Sequence, residues 1–263
     1  MPMAERKKIA LVLSGGGALG ISHIGVIKIL EKYGVPIDIV VGTSMGSLVG
    51  ASYCAGLSVK EMTDFACKFK TIDLFDFNFD NTGLFSGKGV MKVVNKFLPD
   101  INIENLEKTF ACVATDLYTE KEVVFKTGSL RDAVRSSISI PGIFVPFKKD
   151  DKLLVDGGLL NNMPEDVAME MGADIIISVD VLEKFRLTKK PKNIIDTLMY
   201  SLAVSTKVIQ DYKSHHADIT LKPDMKDLSQ LSFSKEKATI AIRRGEKEAE
   251  AHIQEIIALI NEE

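Results

Sequence analysis

Cysteine and histidine are scarce in this chain of 263 residues, with three of the first and four of the second. Cys54, Cys67 and Cys112 form no Cys-x-x-Cys pair and are odd in number, so they read as reduced core residues of a cytoplasmic protein, not as a disulfide framework. No apolar run approaches the roughly 20 residues of a membrane-spanning helix. Charge of one sign is not in large excess, and a net charge of −3 gives no strong steering toward nucleic acid or an anionic membrane. Neither an internal repeat nor a low-complexity tract is found. A basic patch precedes the apolar stretch Ile9 to Leu13, but that stretch is too short for a secretory signal and runs straight into a glycine loop. The expectation is a soluble protein, at most peripheral to lipid. What is present is 46% hydrophobic residues, ample for one large α/β domain over residues 7–260.

The glycine loop is "SGGGALG" (14–20), in which Gly15, Gly17 and Gly20 match G-x-G-x-x-G. It follows a β-branched and aliphatic run, "KKIALVLS" (7–14), and precedes "ISHIGVIKILEKYG" (21–34), apolar at helical spacing. Strand, glycine turn and helix leave free N–H groups at a helix start, a site for a permanent or transient anion. A dinucleotide fold wants an acid at the end of the next strand to hold the ribose. The only acid of "PIDIVV" (36–41), Asp38, lies near its start.

At the end of that second strand stands Gly42-Thr43-Ser44-Met45-Gly46, a G-x-S-x-G motif followed by an apolar helical stretch. A strand that turns abruptly into a helix through one serine exposes its Oγ at the strand's carboxyl end, and Gly42 and Gly46 flank it where side chains would clash. Ser44 is therefore the candidate nucleophile. Acyl transfer through a serine develops an oxyanion, for which the backbone N–H groups of Gly15, Gly16 and Gly17 suit a cradle, with the Met45 amide as a further donor.

A serine nucleophile needs a base. His23 falls in the first helix, His215 and His216 lie between a predicted helix and strand, and His252 sits in the charged last helix; none stands in a telling setting. Acids do better. "KLLVDGGLLNNMP" (152–164) reads as a strand ending at Asp156, then Gly157 and Gly158; Asp116 and Asp180 also stand near strand ends, and spacing alone does not choose among the three.

Strand and helix patterns alternate through at least five rounds, the signature of an α/β fold with a largely parallel central sheet covered on both faces. Past residue 183 come a basic connector "KFRLTKKPKN" (184–193), an amphipathic helix (194–212), a strand within 217–222 expected to join the main sheet, and a charged final helix. Residues 65–89 hold six of the thirteen phenylalanines, read either as a mobile cap or as a loop tucking its rings into the core. Asp76, Asn78 and Asp80 begin like a calcium loop, but Asn81 replaces its glycine and Gly87 its glutamate.

Taken in order, "SGGGALG", "GTSMG" and "VDGG" resemble the patatin-like phospholipase family, and the likeness runs from about residue 7 to 182, including "ATDLYTEKEVVFKTG" (114–128) and "AVRSSISIPGIFVPF" (133–147). The resemblance implies a three-layer α/β/α fold and hydrolysis of lipid acyl esters by a dyad of Ser44 and Asp156. Gly15 to Gly20 would form the oxyanion loop, and no cofactor or metal is implied. Leu19 departs from the family, which often carries Arg or Lys there, and Val145 stands where proline is common. Two other readings stay open: a soluble carboxylesterase with a histidine-containing triad, and a non-enzymatic nucleotide- or lipid-binding protein. The implied partners are a lipid or acyl-ester substrate and transient contact with a membrane surface, with no nucleic acid; oligomeric state is left open.

Overall fold

The computed structural model describes residues 6–74, 76, 82–186, 190–213 and 215–262. Along the chain the elements are β1 (Ile9–Leu13), α1 (Ser22–Lys32), β2 (Ile39–Thr43), α2 (Met45–Cys54), α3 (Val59–Lys68), α4 (Lys88–Phe97), β3 (Thr109–Asp116), β4 (Lys121–Phe125), α5 (Leu130–Ser137), β5 (Phe147–Lys149), β6 (Lys152–Asp156), α6 (Glu165–Glu170), β7 (Ile175–Val179), α7 (Ile194–Tyr212), β8 (Ile219–Leu221) and α8 (Lys235–Asn261). Several helix starts are written locally. Ser58, Ser129, Asn193 and Ser234 each accept the N–H three residues on, and Glu61 completes a capping box with Ser58.

All eight strands join one sheet. Its middle is parallel, in the order β3-β2-β1-β7-β8, as the strand–helix alternation predicts. The 217–222 strand does join this sheet, pairing with β7 through Ile219 to Leu221. The antiparallel part is the β3–β4 and β3–β6 pairs and the β5–β6 hairpin, whose turn holds Asp150 at φ 54°.

One pairing decides where the site forms. Val113 of β3 pairs with Thr43 on one side and Val124 on the other, while the next residue, Ala114, pairs with Asp156 and Val123. Since β4 occupies one edge of β3 from Cys112 to Asp116, β2 and β6 share the opposite edge and run toward each other. Their carboxyl ends, Thr43 and Asp156, therefore meet head to head.

Side chains split between the two faces with the period of two that a strand requires. Ile9, Leu11 and Leu13 of β1, with Ile175, Ile177 and Val179 of β7, enter the larger core beneath α1, α2 and α8. Ala10, Val12 and Ile176 enter the smaller one with Val167 and Ala168 of α6. The two helical layers are thus unequal. In the thicker layer α1 and α8 touch backbone to backbone: a Cβ on Gly25 would lie 2.0 Å from Ile242 O, and one on Gly245 2.0 Å from Ser22 O.

Helices α3 and α4 were not anticipated from the sequence. Of the phenylalanines between residues 65 and 85, Phe65, Phe69 and Phe85 pack against the main core, and Phe69 meets Phe233 edge-on at 5.0 Å between ring centres. Phe75, Phe77 and Phe79, with Asn78, Asp80 and Asn81 of the calcium-like stretch, lie outside the described residues. Asp76 serves α4 instead, accepting the N–H groups of Lys88 and Gly89 at 2.8 and 3.2 Å and the hydroxyl of Ser86. Among the described residues no helix is long and apolar enough to cross a membrane.

Candidate active site

Ser44 is the hinge between β2 and α2, with φ 54° and ψ −122°, a conformation that an L-residue adopts at a cost of about 1–3 kcal/mol. The turn closes because nothing stands in its way: a Cβ on Gly46 would lie 2.1 Å from Leu13 O, and one on Gly42 2.6 Å from the Gly46 backbone. The strained N–H of Ser44 donates to Ser137 Oγ at 2.9 Å. Thr43, the residue before, is fixed by its own hydroxyl donating to Asn161 O at 2.8 Å. Backbone strain at a fixed, buried position of this kind is a mark of function, not of packing.

The head-to-head meeting of β2 and β6 puts the Ser44 hydroxyl against Asp156, and Oγ donates to Oδ2 at 2.5 Å. The other carboxyl oxygen accepts the Gly158 N–H at 2.8 Å, so the two residues after the strand lock the acid's rotamer. Gly157 is required there, since a Cβ would fall 2.4 Å from Val113 O. Asp156 is 8% exposed, and its burial pushes the carboxyl pKa up to about 6 against the lowering effect of its bonds from Ser44 and Gly158. A carboxyl so placed can both take and return a proton near neutral pH.

The other acids are otherwise engaged. Asp116 accepts Thr119 Oγ1 and the N–H groups of Tyr118 and Leu153, tying the β3–β4 turn to β6. Asp180 accepts from Leu182 N, Glu183 N and Gln210 Nε2. None of the histidines hydrogen-bonds to the serine among the described residues. His23 is fully buried beneath the glycine loop, its Nε2 bonded to Ser14 O at 2.9 Å and its pKa pushed down to about 4 by burial. His216 donates its backbone N–H to Glu165, and His252 Nδ1 bonds within α8 to Glu248 O. His215 is exposed between α7 and β8.

The glycine loop faces the same cleft. Gly15, Gly16 and Gly17 line a cavity of about 470 Å³ with Ser44, Asp156, Gly158 and Asn162, walled by Met199, Leu202, Ala203 and Thr206 of α7. Gly17 has φ 57°, and a Cβ on it would meet Gln230 O at 2.2 Å. The N–H of Ala18 is already spent on Gln230 O at 2.7 Å, whereas those of Gly15, Gly16 and Gly17 reach no acceptor among the described residues. Met45 opens α2, and the first N–H groups of a helix have no partner within it. Gly20 belongs to the short 3₁₀ turn (Gly17–Ile21) that leads into α1, packed where a Cβ would strike Met45. Leu19, at the position where a charge was in question, is fully buried in the core. At Val145 the N–H donates to Phe85 O at 3.0 Å, a bond that proline could not make.

Two supports escaped sequence reasoning. The end of α5 and the residues just after it brace both halves of the pair, Ser137 Oγ holding Ser44 N and Ser139 O accepting Asp156 N at 2.9 Å. Arg135, buried, donates to Ser139 Oγ and to Val145 O. The second is Asn162, whose buried Nδ2 has no hydrogen-bond partner among the described residues although it lies in the cleft wall. "NN" after the "DGG" was the only signal for it.

Beyond Ser44, on the side away from α7, lies an apolar cavity of about 530 Å³ reaching Met45, Leu48, Val93 and Phe233. A further cavity of about 440 Å³ shares those four residues and ends among Met62, Phe65, Ala66 and Phe97. Among the described residues no three His, Cys, Asp or Glu side chains converge as a metal site requires.

The model of the patatin-like phospholipase family matches residues 11–169. The chain is similar to patatin-like phospholipase domain-containing protein 6 of Homo sapiens, 40% identical over 181 residues, which covers 66% of this chain and 13% of that protein. Neuropathy target esterase sws of Drosophila melanogaster is 37% identical over the same length, again 66% and 13%. The match thus spans about an eighth of these relatives. Among solved structures, VipD from Legionella pneumophila superposes with a TM-score of 0.63 at 15% identity, covering 96% of this chain and 67% of that one, a likeness of fold.

Proposed function

The chain belongs to the patatin-like phospholipase family, and from that premise we propose that it is a serine hydrolase of lipid acyl esters, working through Ser44 and Asp156 by way of an acyl-enzyme. The observation that carries this reading is the 2.5 Å hydrogen bond from Ser44 Oγ to a buried carboxylate, made by a serine held at positive φ in a cleft. The lipid preference draws support from the apolar cavity that begins at Ser44 and the one adjoining it through Met45, Leu48, Val93 and Phe233, whose linings offer an acyl chain almost no polar contact.

Oγ attacks the ester carbonyl carbon while Asp156 Oδ2 takes its proton. The carbonyl oxygen gathers negative charge, which the N–H groups of Gly15 to Gly17 and Met45 are free to stabilise; donors of this kind are commonly worth several kcal/mol of barrier. Asp156 then gives the proton to the departing alkoxide as the C–O bond breaks. Water enters, loses a proton to Asp156, attacks the acyl carbon and releases the fatty acid, the proton returning to Ser44 Oγ. A base pKa near 6 suits both directions of transfer.

Fluorophosphonate labelling and turnover of p-nitrophenyl esters test the assignment. Wild type should label and hydrolyse, and folded Ser44→Ala and Asp156→Asn should both be silent. An active Asp156→Asn, or loss of turnover on substituting His215 and His216, would overturn the dyad. A wild type that neither labels nor turns over would overturn the enzyme itself.

A further inference from the structure

Helix α7 has two unlike faces. The inner one, Met199, Leu202, Ala203 and Thr206, walls the cleft over Ser44 and Asp156. On the outer arc, about 120° wide at 3.6 residues per turn, stand Ile194, Val204, Val208 and Tyr212, which are 82%, 64%, 48% and 88% exposed. Between them come only Thr197, Ser201, Ser205 and, near the carboxyl end, Asp211. An exposed helix face normally carries charged residues. The single lysine of α7, Lys207, turns from this face to donate to Glu183 O and Phe185 O, both at 3.1 Å.

Charge gathers instead at the amino end of the helix. Arg186, Lys190 and Lys192 are exposed there, beside the most exposed apolar residue of the row but one, Ile194. Arg186 Nη1 donates to the carbonyls of Glu183 and Phe185, and none of the three makes an ion pair among the described residues. A partly apolar stripe with Asp211 as its one charge, flanked by cations without a carboxylate partner, matches the interface of an anionic bilayer, where aliphatic and tyrosine side chains enter the headgroup boundary and Lys or Arg meets lipid phosphates. The small net negative charge of the whole chain is no obstacle, because such attraction acts within about a Debye length.

We propose that the outer face of α7 is the surface by which this protein docks on anionic phospholipid bilayers, placing the cleft on its inner face within reach of lipid esters. The purpose assigned to the docking rests on the hydrolase reading above; the docking itself does not. A helix that touches membrane on one side and walls the reaction cleft on the other joins surface recognition to substrate entry without a separate anchoring domain.

The test is sedimentation of folded Ser44→Ala protein with vesicles of phosphatidylcholine alone or mixed with phosphatidylserine, so that no hydrolysis alters the lipid. The parent should sediment with the mixed vesicles and far less with phosphatidylcholine alone. Adding Val204→Asp and Val208→Asp should weaken partition by roughly tenfold or more, and Lys190→Glu with Lys192→Glu should abolish the preference for phosphatidylserine. In the wild-type background both pairs should leave turnover of a short soluble ester unchanged; absence of that turnover in wild type itself would count against the hydrolase reading alone. Failure of the parent to bind mixed vesicles, or undiminished binding by the folded valine variant, overturns the docking surface. So does a parent that is dimeric in ultracentrifugation, does not bind vesicles, and becomes monomeric with the same substitutions, since the face would then belong to a second copy of the chain.

Discussion

With its carboxyl buried and its pKa pushed up from 3.8 to about 6, Asp156 holds a proton in the folded chain at pH values where the unfolded chain has released it. Its contribution to stability is therefore fully present below pH 3.8 and is lost as pH rises through about 6. Above that, the ionised carboxylate costs the fold about 3 kcal/mol. Asp156→Asn removes the charge and keeps an acceptor for Gly158, so at neutral pH it should raise the thermal midpoint by several degrees, at roughly 2–4 °C per kcal/mol for a chain of this size. The same change should lower kcat/KM by about a thousandfold. In wild type, kcat/KM on a soluble ester should fall as pH drops below about 6, because the base must be a carboxylate to accept the Ser44 proton. Scanning calorimetry and a pH–rate profile check the two halves; a less stable Asp156→Asn would show that the acid is held by its bonds more than it is penalised by burial. Ser137 acts one bond further out. Ser137→Ala deletes the acceptor of the strained Ser44 N–H, and kcat should fall by roughly 10–100-fold with little change in KM.

At the scale of elements, α1 and α8 pack so closely that methyl groups have no room at Gly25 or Gly245. Gly245→Ala must push α8 away from Ser22 O, and the loss should be about 1–3 kcal/mol, read as a lower thermal midpoint with turnover at low temperature retained. An unchanged midpoint would mean that the helices slide apart freely. How much of this architecture is legible in the sequence varies by element. Strand β1, the glycine loop, β2 and the serine turn can be read because short-range constraints write them: a β-branched run, glycines, an abrupt strand–helix switch. Helices α7 and α8 carry amphipathic spacing over 19 and 27 residues and capping side chains at their starts. Helices α3 and α4, only 10 residues each, overlap a phenylalanine-rich stretch that reads as a mobile cap or a loop tucked into the core and carries no helix signal of its own. The choice of Asp156 over Asp116 and Asp180 was illegible from the residues alone, and only the family resemblance made it. Its physical cause is the change of partner along one edge of β3, from Thr43 at Val113 to Asp156 at Ala114, a tertiary fact that no local spacing encodes.

For the whole molecule, the motifs specify a reaction and the layers around them specify its substrate. The cavity at Ser44 and the one adjoining it are built by α2, by α3 and α4, and by Phe233 ahead of α8, so the elements least visible in the sequence shape the apolar space that the proposed hydrolase would offer an acyl chain. Burying one methylene in such a space is worth roughly 0.8 kcal/mol, about fourfold in kcat/KM if the gain is kept in the transition state. Wild type should therefore show kcat/KM climbing with acyl length and levelling off when the chain fills the cavity that ends at Met62, Ala66 and Phe97. Val93 stands in the wall of both cavities, the one at the serine and the one lined by Met62, Ala66 and Phe97. Val93→Phe should bring the plateau to a shorter chain while leaving acetyl and butyryl esters nearly unaffected, since these do not extend past Met45 and Leu48. A series of p-nitrophenyl esters read as kcat/KM against carbon number separates this from a general loss of fold, which would lower every chain length alike, and a plateau unmoved in the folded variant would place the acyl chain elsewhere.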